Sequence, residues 1–333
     1  MSRPGGSPAP VVEVRGLAKW FPVHRGFSAL WPGARRRHVH AVDGIDFTIG
    51  EGETLGLAGE SGSGKTVTGE VLSLLQEPTR GTIRYEGRDL RDAPRGELKV
   101  FRRKAQMIFQ DPYGSLNPRF SARRTVMEPL QIHRLGEPRE REARAREALE
   151  ICELRPAAKY WRKLPDELSG GERQRLAIAR AVVLKPRFLV ADEPTSMLDV
   201  SISAGILNLF QTLREELGLS MLFISHDFSV VRYLCDRTAI MYLGKILEIG
   251  PTAALIREPC HPYTRFLIAA VPVLDQATRR ARVTVPGDIP DATEIPSGCR
   301  FHPRCPFREP RCEKDTPQMK ENSPGRFVAC HLF

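Results

Sequence analysis

The sequence predicts an α/β fold: a mixed or largely parallel sheet core, with an antiparallel β subdomain, a helical insert and a small Pro/Cys-rich C-terminal extension. Three observations predict it. Thr54-Leu55-Gly56-Leu57-Ala58 reads as a short buried strand running into Gly59-Glu60-Ser61-Gly62-Ser63-Gly64-Lys65-Thr66, which fits the pattern G-x-x-x-x-G-K-[ST]. Lys65 to Gln76 then reads as a helix, with Val67, Val71, Leu74 and Leu75 at helical spacing. Further along, the apolar strands Phe188-Leu189-Val190-Ala191 and Met221-Leu222-Phe223-Ile224-Ser225 are separated by helical patterns, the alternation of an α/β unit.

Strand, loop and helix in that order make Gly59 to Thr66 a phosphate-binding loop. Glycines let backbone N–H groups close around phosphate oxygens. Lys65 can reach the β- and γ-phosphates, the Thr66 hydroxyl can ligate Mg2+, and the helix opening at Lys65 and Val67 turns its positive end to the anion. A glycine-rich turn without these flanks would carry no such reading.

Composition sets wider limits. The 333 residues are 41% hydrophobic, enough for a sizeable core and against global disorder. No apolar run reaches the roughly 18 residues of a membrane span, and Phe266 to Leu274 is far shorter and contains Pro272. Met1 to Pro10, rich in Pro, Gly and Ser, reads as a flexible leader without the apolar core of a signal peptide. These features point to the cytosol or a cytosolic membrane face. Fifty Lys and Arg against 40 Asp and Glu give a net charge of +10, which suits an anionic partner or simply an Arg-rich solvated surface. No aromatic-interleaved basic patch of the nucleic-acid type is present.

In chain order, Val11 to Val14 opens a strand, and Phe21 follows beside Trp20. Such an aromatic can stack on adenine or fill a core. The link over 23–40, with Arg35-Arg36-Arg37-His38, is assigned nothing. Ile45, Phe47 and Ile49 alternate with Asp46 and Thr48, a half-buried strand. Gln106 to Phe109 reads as a buried strand ending at Gln110, whose amide could reach Mg2+ or an attacking water; a lone Gln at a strand end serves structure as readily. Residues 112–168 form the helical insert, with Ala145, Ala148, Leu149 and Cys152 on one face of a helix over Arg139 to Cys152. Leu168-Ser169-Gly170-Gly171-Glu172 then leads into a helical pattern over Arg173 to Leu184. Ser169 is a good N-cap and the glycines expose amides, a second anion-binding helix start.

The strand over Phe188–Ala191 closes on Asp192 and Glu193. The first carboxylate can hold Mg2+ through water and the second can polarise a hydrolytic water, although such a pair can also face solvent. Pro194 to Asp199 turns the chain. His226, at the end of the Met221–Ser225 strand, can hydrogen-bond a γ-phosphate or serve structure. Residues 238–249 read as a hairpin turning at Gly244-Lys245, and beyond Gly250 the chain reads as loop apart from a helix around Tyr263 to Ala270.

Taken together these pieces resemble the ATP-binding subunit of an ABC transporter, a P-loop NTPase. The resemblance covers about residues 11–250. It implies that Phe21 is the adenine-stacking aromatic, Gln110 the Q-loop, Ser169, Gly170, Gly171 and Glu172 the signature, and Asp192 the Walker B carboxylate. Glu193 becomes the catalytic base, Ser196-Met197-Leu198-Asp199 the D-loop and His226 the switch histidine. Met197 departs from the usual Ala. The segment His261-Pro262-Tyr263-Thr264 and the tail over 251–333 resemble the extension of oligopeptide/dipeptide importer ATPases, and the link before residue 40 and Met241-Tyr242-Leu243-Gly244 resemble the second of the two paired ATPases. Implied partners are a paralogous ATP-binding subunit forming a heterodimer, two membrane permease subunits and an extracytoplasmic solute-binding protein. The implied location is peripheral, on the cytoplasmic side of the inner membrane.

Cys299, Cys305, Cys312 and Cys330 are spaced C-x5-C-x6-C-x17-C, which suits neither a zinc ribbon nor a common ferredoxin run. Structural Zn2+, an iron–sulfur cluster or loose reduced thiols all fit. The resemblance favours a [4Fe–4S] cluster, with Zn2+ second. The main alternative is a soluble ABC-type ATPase acting on nucleic acid, against which stands the single cassette; a nucleotide-switched binding module that does not turn over is opposed by Glu193 and His226. Cargo other than peptide, such as nickel or sugar-derived solutes, stays open.

Overall fold

A computed structural model describes residues 9–23, 37–270 and 290–333. Most of the expected leader, and Arg35 and Arg36, lie outside the described residues. In chain order the elements are β1 (Val12–Pro22), β2 (His38–Ile49), β3 (Thr54–Ala58), α1 (Lys65–Leu72), β4 (Arg80–Tyr85), β5 (Arg88–Asp89), α2 (Arg95–Lys104) and β6 (Ala105–Ile108). There follow α3 (Pro112–Ser115), α4 (Ala122–Ile132), α5 (Pro138–Ile151), α6 (Ala157–Tyr160), α7 (Gly170–Val182), β7 (Phe188–Asp192), α8 (Val200–Leu217), β8 (Ser220–Ser225) and α9 (Phe228–Leu234). The chain continues through β9 (Arg237–Tyr242), β10 (Lys245–Pro251), α10 (Thr252–Arg257), α11 (Pro262–Ala269), α12 (Pro310–Lys314), β11 (Lys320–Ser323) and β12 (Arg326–Val328).

The chain divides into two compact units. Among the described residues, one comprises 9–12, 49–54 and 85–223; the other comprises 13–23, 37–48, 55–84, 224–270 and 290–333. In the first, β6 pairs in parallel with β7 from Ala105↔Phe188 to Ile108↔Ala191, and β8 lies beside β7. Every residue of β7 is buried, as the continuous apolar run requires of a strand covered on both faces. The expected insert is here: α4, α5 and α7 pack together, and Ala145, Ala148 and Leu149 of α5 are buried on one face.

In the second unit the sheet runs β11-β12-β10-β9-β3. β3 is parallel to β9, with Leu55↔Arg237 through Ala58↔Ile240, while β9–β10, β10–β12 and β12–β11 are antiparallel. The β9–β10 hairpin turns at Leu243 (φ 42°) and Gly244 (φ 77°), the left-handed pair of a tight two-residue turn. A separate sheet carries β2, β1 and β4 in that order.

Three expectations need correction. The first helix stops at Leu72, well before Gln76: Leu74 adopts φ 53° and Leu75 is 55% exposed, so both leave the helical face that Val71 and Leu72 bury. Phe109 lies beyond β6 and is exposed. The tail beyond Gly250 carries more than the one expected helix: it also forms α10, α12, β11 and the strand β12, which pairs with β10 at Glu248↔Val328 and Ile249↔Phe327. A three-residue strand has too few positions to show a period and exists only through its partner.

Candidate active site

The phosphate loop leaves β3 in a conformation that only glycine fits at its key position. Gly64 has φ 104° and caps α1; a Cβ there would lie 2.0 Å from the Ala41 carbonyl oxygen. A Cβ on Gly59 would lie 2.2 Å from the Met241 carbonyl oxygen, so the loop is drawn tightly onto β9. The Ser63 carbonyl accepts from the Gly244 amide at 2.9 Å. The Ser63 hydroxyl is buried with no hydrogen-bond partner among the described residues. Buried polar atoms are normally satisfied, so an orphaned hydroxyl inside a glycine cradle fits a site shaped for phosphate. Lys65 is buried and donates to the Gly59 carbonyl at 2.8 Å and the Glu60 carbonyl at 2.9 Å. Thr66 is exposed and Val67 half-buried at the start of α1.

Glu60 is tied more heavily than its place in a variable position of the motif suggests. Its N–H donates to the Tyr263 hydroxyl at 2.9 Å, and its carboxylate accepts both arms of Arg304 at 2.8 and 3.1 Å. Tyr263 and Arg304 are functional candidates that the sequence reading missed; their separation from the loop leaves no local signal. In the same unit Phe21 is half-buried on β1, with the Lys19 ammonium 5.0 Å from its ring centroid. His226 is exposed just past β8, and Asp227 after it caps α9.

The other unit carries the second set. Gln110 donates its amide to Glu193 Oε2 at 3.2 Å, bringing two of the expected residues together. Glu193 has φ 43°, a left-handed conformation uncommon for a residue with a side chain and concentrated at working sites. Its carbonyl accepts from the Ser196 amide at 3.1 Å and hydroxyl at 3.0 Å. Asp192 closes β7 and is buried. Ser169 caps α7 through a reciprocal capping box: its hydroxyl accepts from the Glu172 amide, and Glu172 accepts from the Ser169 amide at 2.9 Å. That amide holds the Glu172 carboxyl below the ordinary range. The Ser169 N–H is therefore engaged within its own helix, which puts Gly170 and Gly171 at the head of the anion-binding turn. Met197 is 56% exposed, Val200 at the start of α8 is 89% exposed, and Asp199 precedes α8 without a side-chain cap bond.

The four late cysteines are free thiols in the second unit. Among the described residues no group of three or more His, Cys, Asp or Glu side chains is gathered to hold a metal. Cys299 is buried and its thiol is pushed up to about 11, mainly by burial and further by Cys330, Cys312 and Cys305. Burial also raises Cys305 and Cys330. The four lie close enough to influence one another, and a bound metal would itself deprotonate a coordinating thiol.

Comparison with known proteins decides the family. Residues 42–196 match the family model described as ABC transporter, and residues 247–312 match that for the oligopeptide/dipeptide transporter C-terminal region. The putative oligopeptide transport ATP-binding protein YkfD of Bacillus subtilis is 47% identical over 302 residues, 90% of this chain and 91% of that protein. AppF, an oligopeptide transport ATP-binding protein of the same organism, is 43% identical over 97% of each chain. The chain belongs to the ABC transporter ATP-binding proteins, in the oligopeptide/dipeptide family. Among solved structures, the ABC cassette MJ0796 in a dimeric form bound to ADP and Pi gives a TM-score of 0.62 at 29% identity, covering 72% of this chain and 98% of that one. The cassette cbiO1 of Clostridium perfringens gives 0.62 at 25% identity, covering 75% and 91%. This ABC ATPase has the α/β fold of P-loop NTPases and hydrolyses ATP, with Mg2+ as the ion expected beside it. No helix among the described residues is long and apolar enough to cross a membrane.

Proposed function

We propose that this ABC ATPase powers import of oligopeptides or dipeptides through partner permeases; its relatives are named for oligopeptide transport and for peptide import. The observation that carries the reading is the pairing of a complete phosphate loop with a C-terminal region of the oligopeptide/dipeptide type in one chain. In this reading residues 11–250 are the ATPase cassette and 251–333 its importer extension. The partners are a paralogous ATP-binding subunit, two permease subunits and an extracytoplasmic binding protein, and the chain sits peripherally on the cytoplasmic side of the inner membrane.

Each site residue then has a role. Phe21 stacks on adenine, and the amides from Gly59 to Thr66, with Val67 behind them, surround the phosphates. Lys65 leaves the Gly59 and Glu60 carbonyls for the β- and γ-phosphates. Thr66, Gln110 and Asp192 are the residues that would hold Mg2+, which would supply charge neutralisation at the phosphates. Glu193 takes a proton from the attacking water, and His226 orients on the γ-phosphate. Ser169, Gly170, Gly171, Glu172 and Asp199 face the nucleotide of a second ATPase subunit, with exposed Met197 and Val200 at the seam. The finer reading of the Cys element, a [4Fe–4S] cluster with Zn2+ second, is supported only by the mutual influence of its four thiols. A colourless, iron-free protein after anaerobic purification removes the cluster.

The experiment for the main reading is steady-state hydrolysis. Glu193→Gln is expected to lower kcat by about 100-fold or more while nucleotide still binds, and Lys65→Ala to abolish tight binding. Wild-type turnover in Glu193→Gln sinks the base assignment; unchanged affinity in Lys65→Ala sinks the ATP site.

A further inference from the structure

Glu60 places a carboxylate inside a loop built to surround a polyanion. Left unpaired, it would repel the nucleotide phosphates. Its partner comes from the C-terminal extension: the Arg304 guanidinium grips it through two hydrogen bonds, at 2.8 Å to Oε2 and 3.1 Å to Oε1. This fork-on-carboxylate geometry fixes direction as well as charge. The Arg304 side chain is 7% exposed and that of Glu60 21%, so solvent screens the pair only partly.

Arg304 is itself held rigidly. It ends a 3-10 turn over His302–Arg304, and its guanidinium lies 5.8 Å from the Tyr242 ring centroid and 5.9 Å from that of Phe266. Phe301, just before the turn, is fully buried against Tyr242, Tyr263 and His261. Four residues before Arg304, Arg300 pairs with Asp43 and the Leu243 carbonyl. The segment from Cys299 to Cys305 is thus a plug with two arginine prongs, one of which ends on the phosphate loop.

Every hydrogen-bonding group of Glu60 is engaged: its N–H by Tyr263, its carbonyl by Lys65 and the Ser63 amide, and its carboxylate by Arg304. Two of these four partners, including the only one on the carboxylate among the described residues, come from beyond residue 260. We infer that Arg304 is a positioning residue for the phosphate loop: it neutralises and orients Glu60, and through it the Cys-rich extension sets the affinity for the nucleotide phosphates. This rests on the reading of Gly59 to Thr66 as the ATP site.

The test is calorimetric titration of the full chain with MgATP and with AMP. Arg304→Ala is expected to weaken MgATP binding about tenfold, as loss of a charged bidentate partner does, and AMP binding by much less. In the Glu60→Gln background the same Arg304→Ala change is expected to cost less than about threefold, because no carboxylate is left to neutralise. Wild-type affinity in Arg304→Ala overturns the inference. So does a loss that is equal for AMP and MgATP, or one that Glu60→Gln does not relieve, since either marks a structural role only. If Arg304→Ala does not fold, Arg304→Lys carries the same cycle; it keeps the charge without the fork, and an unchanged affinity overturns the inference. A wild-type chain that fails to bind MgATP, or Lys65→Ala that binds it normally, refutes the ATP site itself and is distinct from these outcomes.

Discussion

His261 shows how a single residue ties the start of α11 to β10. It is 1% exposed, its Nδ1 accepts from the Tyr263 amide at 3.0 Å, and its own amide donates to the buried Glu248 carboxylate at 2.9 Å. Burial, with Arg265 adding to it, holds the imidazole down at about 3. The unfolded chain takes up a proton near pH 6.5 and the folded chain does not, so stability is full above that value and falls as the solution is acidified. Moving from pH 7.5 to 5.5 is expected to cost about 1 kcal/mol through this residue. Denaturant unfolding at the two values measures it, and His261→Asn, which keeps an acceptor for the Tyr263 amide but does not titrate, is expected to flatten the difference. Glu193 is the counterpart in the other unit: its left-handed backbone and its bond from Gln110 set the carboxylate's direction, which no reading of an Asp-Glu pair supplies.

At the scale of elements, α7 and α8 explain the signature's second glycine. Gly171 needs no unusual torsion; a Cβ there would meet Ile202 Cγ2 of α8 at 2.6 Å. Gly171→Ala is therefore expected to cost about 1–3 kcal/mol by overpacking, and Ile202→Ala in the same chain to recover part of it, as thermal or denaturant unfolding will show. The sequence reading reached the motif glycines, the buried strands and the insert helix because their signals are local: an apolar run, a 3.6-residue period, an N-cap followed by Glu. β12 and the end of α1 lack such a signal for the same physical reason. Arg326 to Val328 is a strand only because β10 supplies the ladder, and Arg326 is held there by the buried Glu248 at 2.8 Å. Leu74 and Leu75 continue the apolar pattern of α1, but the backbone turns left-handed at Leu74 and breaks the face they would share. Tyr263 and Arg304 were out of reach because a hydrogen bond across hundreds of residues leaves no mark on spacing.

At the scale of the whole molecule, one chain carries two helix starts suited to anions, α1 after the phosphate loop and α7 after Ser169. In the proposed assembly they serve different nucleotides, and the exposed Met197 and Val200 are covered by the neighbouring subunit. The Glu193→Gln chain is then expected to elute with its partner ATPase as a stable dimer in MgATP and to separate without it. Elution as a monomer under both conditions would place the complete site within a single chain.

The grip on Glu60 also orders events in time. Its partners Tyr263 and Arg304 lie 203 and 244 residues downstream. At a synthesis rate of about 5–20 residues per second, the phosphate loop emerges from the ribosome tens of seconds before Tyr263 and Arg304 can clasp it. A nascent chain, or one cut short before residue 304, carries the whole G-x-x-x-x-G-K-[ST] motif yet lacks the clasp. Completion of the loop thus reports that synthesis has passed residue 304.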